Sequence, residues 1–546
     1  MITMGGYLLE QLYKAGVRQI YGIPGDFALS FFRCVEKFNP QGGTFGKIKI
    51  IPFSHEPSVG FAADGCARAT GKISACAITY GAGGFNIVNP IACAYAEKSP
   101  VVVISGAPGI EERKRGYLFH HQAKSLDSQQ KVFKEVTVYQ CVLDNPETAA
   151  TEIDFALQMA KAYSQPVYIE IPRDKVFEKI SPKKSQKISF SQDIQSTREA
   201  AREIGEIISR SKKPVLMIGI EVHRFGLKNL AVKLAEKTGV PVVSSFMARC
   251  TFPTHHKQFE GIYLGPAGPE KVQNLVEKSD CLILLGVPLA DTDMAIRLIR
   301  MNPQKVIHCV SRNVNIGHHH YENVPLDLLL KNLLKEKIKK HSSSQFQHKK
   351  KISIPAKSYF GNQKLKVEDI IHALNVLFQK KGPMITSVDN GDCLFASTLL
   401  DTDQLLASGY YATMGFAVPA AMGVQTSTGK RPLILVGDGA FQMTGPEISH
   451  CLKWKLNPIV VVFNNKRWEM LTVIQPEGKY YDLTPWPFAK LAEDWGGKGY
   501  TVRTRKEMLE AILDAYKQKT FTLIDAHIPL GQRSKILETY LMKVRK

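Results

Sequence analysis

Short runs of β-branched and apolar residues alternate with helix-patterned stretches along the whole chain, and this alternation restricts the fold more than any other feature. RQIYGIP, ISACAITYG, SPVVVISG and QPVYIEIP read as buried strands of a first unit. PVLMIGI, PVVSS, DCLILLG and KVIHCV read as those of a second, and MITSVDNG, PLILVGDG, PIVVVFNN and FTLIDAHI as those of a third. A strand that is apolar throughout needs cover on both faces, and helices connecting parallel strands provide it. The reading is α/β, with three doubly wound parallel-sheet domains. At 546 residues the chain is too long for one core, since a domain usually has about 100–200 residues. The expected domains are residues 1–180, 194–335 and 359–546, with a polar linker at 181–193 and a basic one at 336–358.

The first and third units share a passage. ISACAITYGAGGFNIVNPIACAYAEKSPVVVISG and RPLILVGDGAFQMTGPEISHCLKWKLNPIVVVFNN both run strand, glycine loop, helix, proline, strand. Either this is the common grammar of doubly wound sheets, or two related domains share one ligand.

Charge and cysteine usage bear on partners and compartment. Lys and Arg number 71 against 50 Asp and Glu, a formal charge of +21. Such a balance attracts nucleic acid, anionic membranes or small anions. The basic residues are scattered, however, and the clearest cluster, KEKIKKHSSSQFQHKKK at 335–351, reads as a solvated linker. There is no zinc-knuckle spacing and no aromatic–basic signature, so no nucleic-acid partner is expected. The ten cysteines include no CxxC, and several lie in apolar runs; they read as reduced core residues of a cytoplasmic protein. The N-terminal stretch has Leu8, Leu12 and Ala15 on one helical side and no basic leader, so it reads as an amphipathic helix rather than a signal peptide. No apolar run is long enough to span a bilayer, and no membrane partner is expected.

The chemistry is concentrated in Gly437-Asp438-Gly439 followed, after 24 residues, by Asn464-Asn465. Each element follows an apolar run, so one crossover brings Asp438 and Asn465 to the carboxyl ends of neighbouring strands, where ligands of open α/β sheets bind. A carboxylate, an amide oxygen and a backbone carbonyl are hard ligands that suit Mg²⁺, which completes its octahedron with phosphate oxygens and water. Flanking glycines let the backbone approach a diphosphate. The plain alternative is a capping Asp and an Asn turn; the paired spacing makes it the weaker reading.

This spacing resembles the fingerprint of thiamine-diphosphate enzymes. With GIPGDF (22–27), SHEPSVGFAADGCAR (54–68), FHHQ (119–122) and GYYATMGFAVPAAMG (409–423), the chain resembles the pyruvate decarboxylase family, and more closely its phenylpyruvate/indolepyruvate branch. The resemblance implies thiamine diphosphate and Mg²⁺ as cofactors, held between a pyrimidine-binding first domain of one subunit and a diphosphate-binding third domain of another. A homodimer is then the smallest active unit, and a homotetramer is usual. It also implies that Glu56 bonds the aminopyrimidine nitrogen, that the Ala412 carbonyl accepts from its amino group, and that Met414 wedges beneath the cofactor. Gly437, Asp438, Gly439, Ala440 and Asn465 would line the diphosphate, with Asp438, Asn465 and the Arg467 carbonyl as Mg²⁺ ligands. Asp26, His120 and His121 match a proton-relay group. Loss of CO₂ leaves a carbon that must be protonated and a hydroxyl that must be deprotonated, and histidine suits both transfers.

One position departs from the pattern. Enzymes acting on pyruvate itself carry a glutamate six residues after the second Asn; here that residue is Leu471. Glu469 is two residues earlier, about 200° round a helix, and is expected to point elsewhere. A roomier, more apolar pocket, flanked by Trp468, fits a bulky side chain. The implied activity is non-oxidative decarboxylation of an aryl-type 2-oxo acid, such as phenylpyruvate or indolepyruvate, to the aldehyde. A carboligase forming 2-hydroxyketones is one alternative. A noncatalytic scaffold is another, but it would be expected to have lost Glu56, the GDG/NN pair or the histidines. His318-His319-His320 fits no motif and reads as a solvated loop, and the turns GIEVHRFG and GVPLADTD of the middle unit are not full dinucleotide fingerprints.

Overall fold

The computed structural model describes residues 1–38, 48–182, 193–291, 302–341 and 361–544; residues 183–192 and 342–358 of the two expected linkers fall outside them. The described residues form three α/β sheets and one short two-stranded pairing. The chain gathers into two compact units. One comprises Met1–Ile188, Thr413–Pro432 and Ala440–Pro458, and the other Ser189–Ala412, Leu433–Gly439 and Ile459–Lys546.

In the first unit, six parallel strands lie in the order Lys49–Pro52, Gln19–Gly22, Ser74–Ile78, Val101–Ala107, Val167–Pro172, Tyr139–Val142. Numbered by occurrence in the chain, that is 2-1-3-4-6-5. The central strands are mostly apolar and buried along their length, and the one carboxylate among them, Glu170, pairs with Arg113 Nη2 at 2.8 Å. Helix Met4–Lys14 covers one face and buries Leu8 and Leu12, as its periodicity predicts. Helices Glu56–Thr70 and Ala417–Thr428, both in this unit, pack backbone to backbone: a Cβ on Gly65 would lie 2.2 Å from the Ala420 carbonyl oxygen. Behind Glu56, the same helix carries a buried ion pair, Arg68 Nη2 to Asp64 Oδ2 at 2.6 Å.

The second unit holds two sheets. One has seven strands, ordered Phe259–Ile262, Val242–Ser244, Pro214–Ile218, Cys281–Leu285, Val306–Val310, Asn313–Ile316, His319–Tyr321. The first five are parallel and the last two antiparallel. His319 and His320 thus sit in an edge strand, not the solvated loop their sequence suggests. The chain turns back at Gly317, and both residues pair with the strand before it. His319 Nδ1 contacts Glu203 Oε1 at 2.9 Å, and His320 Nδ1 lies 2.7 Å from Asn315 Oδ1.

The other sheet of this unit runs Leu405–Ala407, Thr386–Val388, Leu433–Gly437, Ile459–Asn464, Thr522–His527, Lys498–Val502, all parallel. Its order is again 2-1-3-4-6-5. The two passages that look alike in sequence are strands 3 and 4 of each sheet. PEISHCLKWKL is not one continuous α-helix, however. A helix begins at Asp438, and Gly445–His450 is 3₁₀ before a short α-turn, Cys451–Trp454. Pro446 has no N–H to continue the α-helical ladder. None of the ten cysteines forms a disulfide, and nine of them are buried.

Candidate active site

The site residues of the first unit gather at the carboxyl ends of its sheet. His120 Nε2 lies 2.5 Å from Asp26 Oδ2, and His121 Nε2 lies 3.9 Å from Asp26 Oδ1. Consecutive side chains on extended backbone point apart; these two converge because His121 has φ 66°. Gly81, at φ +68°, makes room for that bend, since a Cβ there would lie 2.0 Å from the His121 carbonyl oxygen. Phe27 stacks on the His120 ring at 4.6 Å and an interplanar angle of 19°. Burial on its own would raise the Asp26 carboxyl, but the His120 hydrogen bond and charge, the Phe27 N–H and the His121 charge outweigh it. Asp26 is held below its ordinary value. The result is an accessible acid–base chain with a carboxylate kept ionised.

Glu56 is the first residue of helix Glu56–Thr70, followed by a proline in the first turn. That proline costs nothing there, because the first-turn N–H groups have no helical partner. Asn86 Nδ2 donates to Glu56 Oε2 at 2.7 Å. The chain entering the helix is held by the buried Glu447, whose carboxylate accepts the Ser54 N–H at 3.2 Å, while Ser54 Oγ lies 2.6 Å from His450 Nε2. Neither Asn86 nor Glu447 was singled out from sequence. Both act through contacts between residues far apart in the chain, and no local spacing announces them. Met414 and Ala440 also belong to this unit, Met414 partly exposed and Ala440 buried.

In the second unit, Gly437 ends strand Leu433–Gly437 and Asp438 opens the following helix. Asp438 Oδ1 accepts the Gly439 N–H at 2.9 Å, and Oδ2 accepts those of Asn465 at 3.0 Å and Lys466 at 2.6 Å. Asn465 Oδ1 accepts the Arg467 N–H at 3.1 Å, and the Arg467 carbonyl accepts from Glu469 N at 2.8 Å. Burial pushes the Asp438 carboxyl up to about 6, against the pull of its three backbone donors, and the nearby Asp525 charge adds to the rise. Among the described residues Asp438 forms no ion pair with Lys or Arg. A carboxylate has about four acceptor sites. Three on Asp438 are engaged, and one acceptor site remains on each of Asn465 Oδ1 and the Arg467 carbonyl. A buried, unneutralised carboxylate with three free oxygen lone pairs around it fits a hard divalent cation.

Gly439 packs closely on Trp468, since a Cβ there would come 2.3 Å from the ring. Trp468 therefore lies on the glycine turn. The Arg467 side chain, which the sequence left without a role, pairs with Asp482, Nε to Oδ1 at 3.1 Å. Ala412 has φ 57°, and its carbonyl accepts from Asn390 Nδ2 at 3.0 Å. Asn390 lies in VDNGD, at the end of strand 1 of this sheet, and was also missed. Leu471 is 41% exposed on helix Glu469–Ile474. Glu469 is buried on that helix, where Arg533 Nε donates to it at 2.8 Å. A groove of about 570 Å³, lined in part by Asn464, Asn465, Lys466 and His527, gives the Asn465 end access to solvent.

Residues 2–132, 201–336 and 389–526 match, in turn, the N-terminal TPP binding domain, the central domain and the C-terminal TPP binding domain of thiamine pyrophosphate enzymes. The chain is 42% identical over 540 residues to the indole-3-pyruvate decarboxylase of Azospirillum brasilense, covering 98% of this chain and 97% of that protein. It is 28% identical over 559 residues to the pyruvate decarboxylase of Neurospora crassa, covering 98% and 95%. Over 554 residues it is 28% identical to a probable pyruvate decarboxylase of Schizosaccharomyces pombe, covering 98% and 94%.

Proposed function

Because this chain belongs to the thiamine pyrophosphate enzyme family and is a 2-oxo acid decarboxylase within it, we propose that its preferred substrates carry bulky, aryl-type side chains, as in phenylpyruvate or indolepyruvate. The observation that carries this reading is the pair Leu471 and Glu469. The residue six positions after Asn465 is an exposed aliphatic side chain, and the nearest acid is locked to Arg533. With no carboxylate free there, the pocket has apolar surface to offer a large side chain. The name of the 42%-identical relative points the same way.

When bound, thiamine diphosphate supplies the nucleophile and the electron sink. Glu56, the Ala412 carbonyl and Met414 are the residues we assign to its ring system. The backbones of Gly437, Gly439 and Ala440 are assigned to its diphosphate. Asp438, Asn465 and the Arg467 carbonyl are assigned to Mg²⁺. The remaining steps fall to the chain. Glu56 would hold a proton at the aminopyrimidine ring nitrogen. His120 Nε2 gives up or takes a proton, and Asp26 Oδ2 stabilises the imidazolium while it is charged. Exposure of both histidines lets protons exchange with water. We further propose a homodimer as the minimal active form and a homotetramer in solution, in a reducing, cytoplasmic setting that suits ten cysteines without a disulfide among them.

The test is CO₂ and aldehyde formation from pyruvate, phenylpyruvate, indolepyruvate and a branched aliphatic 2-oxo acid, with and without thiamine diphosphate and Mg²⁺. Cofactor-dependent aldehyde from the aryl acids, with little from pyruvate, is the expected result. Equal turnover of pyruvate would overturn the substrate assignment, and a hydroxyketone product would move the enzyme to carboligation.

A further inference from the structure

Asp525 is a buried carboxylate that no step above uses. It lies on strand Thr522–His527, opposite Val462 of strand Ile459–Asn464, with Asn464 opposite His527. Its side chain is 4% exposed. Asn464 Nδ2 donates to Asp525 Oδ1 at 2.7 Å, and His527 Nε2 lies 3.1 Å from Oδ2. Asn464 is the residue just before Asn465, so Asp525 anchors the strand end from which Asn465 and Lys466 leave to donate to Asp438. A line of contacts thus runs from His527 through Asp525, Asn464 and Asn465 to Asp438.

Charge gives the line a purpose beyond rigidity. Asp525 and Asp438 are both buried, and the charge of one acts on the other. Among the described residues neither forms an ion pair with Lys or Arg, and the only ionisable side chain in short contact with Asp525 is His527. Two buried like charges whose one potentially cationic neighbour is a histidine are costly. A divalent cation at Asp438 and Asn465 offsets both.

We propose that Asp525 is a positioning residue for that cation, orienting the Asn464-Asn465 strand end and supplying a second negative charge behind the ligands. The inference rests on the reading that Asp438 and Asn465 hold the metal. Ligand-orienting partners of this kind commonly change metal affinity by about 10–100-fold.

The experiment measures Mn²⁺ binding to the full-length protein by electron paramagnetic resonance in the presence of thiamine diphosphate. Asp525→Asn keeps an acceptor for Asn464 and removes the charge. Its Mn²⁺ Kd is expected to rise about 10–100-fold, with the thermal midpoint without cofactor no lower than that of the parent. Asp438→Asn is the control for the underlying reading. If Asp438→Asn abolishes Mn²⁺ binding while Asp525→Asn binds within twofold of the parent, the inference is wrong and the metal site stands. If Asp438→Asn binds normally, the metal site itself has been misassigned and the inference falls with it. Should Asp525→Asn fail to fold, Asn464→Ala tests the same bond from its other end. A rise in Kd of about fivefold is then expected, and an unchanged Kd overturns the proposal.

Discussion

The first and the last six-stranded sheets share one strand order, yet the glycine turns after their third strands are closed by opposite chemistry. In the first sheet the Gly81 N–H is taken by Gln129 Oε1 at 2.6 Å, and the Gln129 amide donates onward to Ser105 Oγ and Tyr168 OH. That plug is neutral and satisfied on every side. In the last sheet the Gly439 N–H is taken by a carboxylate, Asp438, which is left without a cationic side-chain partner among the described residues. One topology therefore yields a closed turn packed against His121 and a turn whose buried carboxylate has no Lys or Arg partner among the described residues. The acids differ accordingly. Asp26 is partly exposed and held low against its burial by His120, whereas burial pushes Asp438 up. The topology fixes where the crevice lies, and a single residue in it sets the chemistry.

The strongest way to break this comparison is Glu56→Gln. If Glu56 serves proton transfer and takes no part in holding the metal, kcat/KM for aldehyde formation should fall by about 10²–10⁴-fold while Mn²⁺ binding is untouched; a parallel loss of metal would undo the division of labour. Next come the two turn glycines. Gly81→Ala drives a Cβ into backbone at a positive φ, whereas Gly439→Ala meets a side chain that can shift. Denaturant unfolding should show a loss above about 3 kcal/mol for the first and about 1–3 kcal/mol for the second. The reverse order would mean that the Trp468 contact is the rigid one.

A smaller effect sharpens the substrate side. Leu471→Glu restores a carboxylate and should move the pyruvate-to-phenylpyruvate ratio of kcat/KM toward pyruvate by about tenfold, or 1.4 kcal/mol; an unchanged ratio would remove Leu471 from the specificity argument. The smallest effect is a pH dependence. Burial raises Asp392, in the unit of the last sheet, from 3.8 to about 6, despite its bonds from Ser534. The folded state then keeps a proton that the unfolded chain has released. Stability is full below the ordinary aspartate value and is lost as pH rises through about 6. Asp26 has the opposite sign, with its contribution present above its ordinary value and lost as pH falls. Asp392→Asn should flatten the rise in thermal midpoint expected on going from neutral pH down to about 5. If the slope survives the substitution, another group is its source.

The strands read correctly from sequence are the central four of each six-stranded sheet, and the four missed are all edges: Lys49–Pro52, Tyr139–Val142, Leu405–Ala407 and Lys498–Val502. Central strands are covered on both faces and are mostly apolar. Edge strands are short and half-exposed, and their residues carry no such mark. The same division holds at the site. Asp438 and Asn465 are legible because the crossover connecting their strands has a characteristic length. Asn86, Glu447 and Asn390 are not, because no motif of fixed spacing marks the contacts they make.

Local pattern, then, was enough for the three α/β layers, the carboxyl-end crevice, the cofactor family and the absence of a glutamate at Leu471. The first two depend on burial periodicity or on residues joined by one short connection, which a linear chain records; the last two rest on the resemblance of its motifs to a known family. Only the folded chain decided that two consecutive histidines converge on Asp26, that Glu469 is spent on Arg533, and that Asp525 stands behind the Asp438 turn. Those depend on directions and distances between elements, which are set by packing.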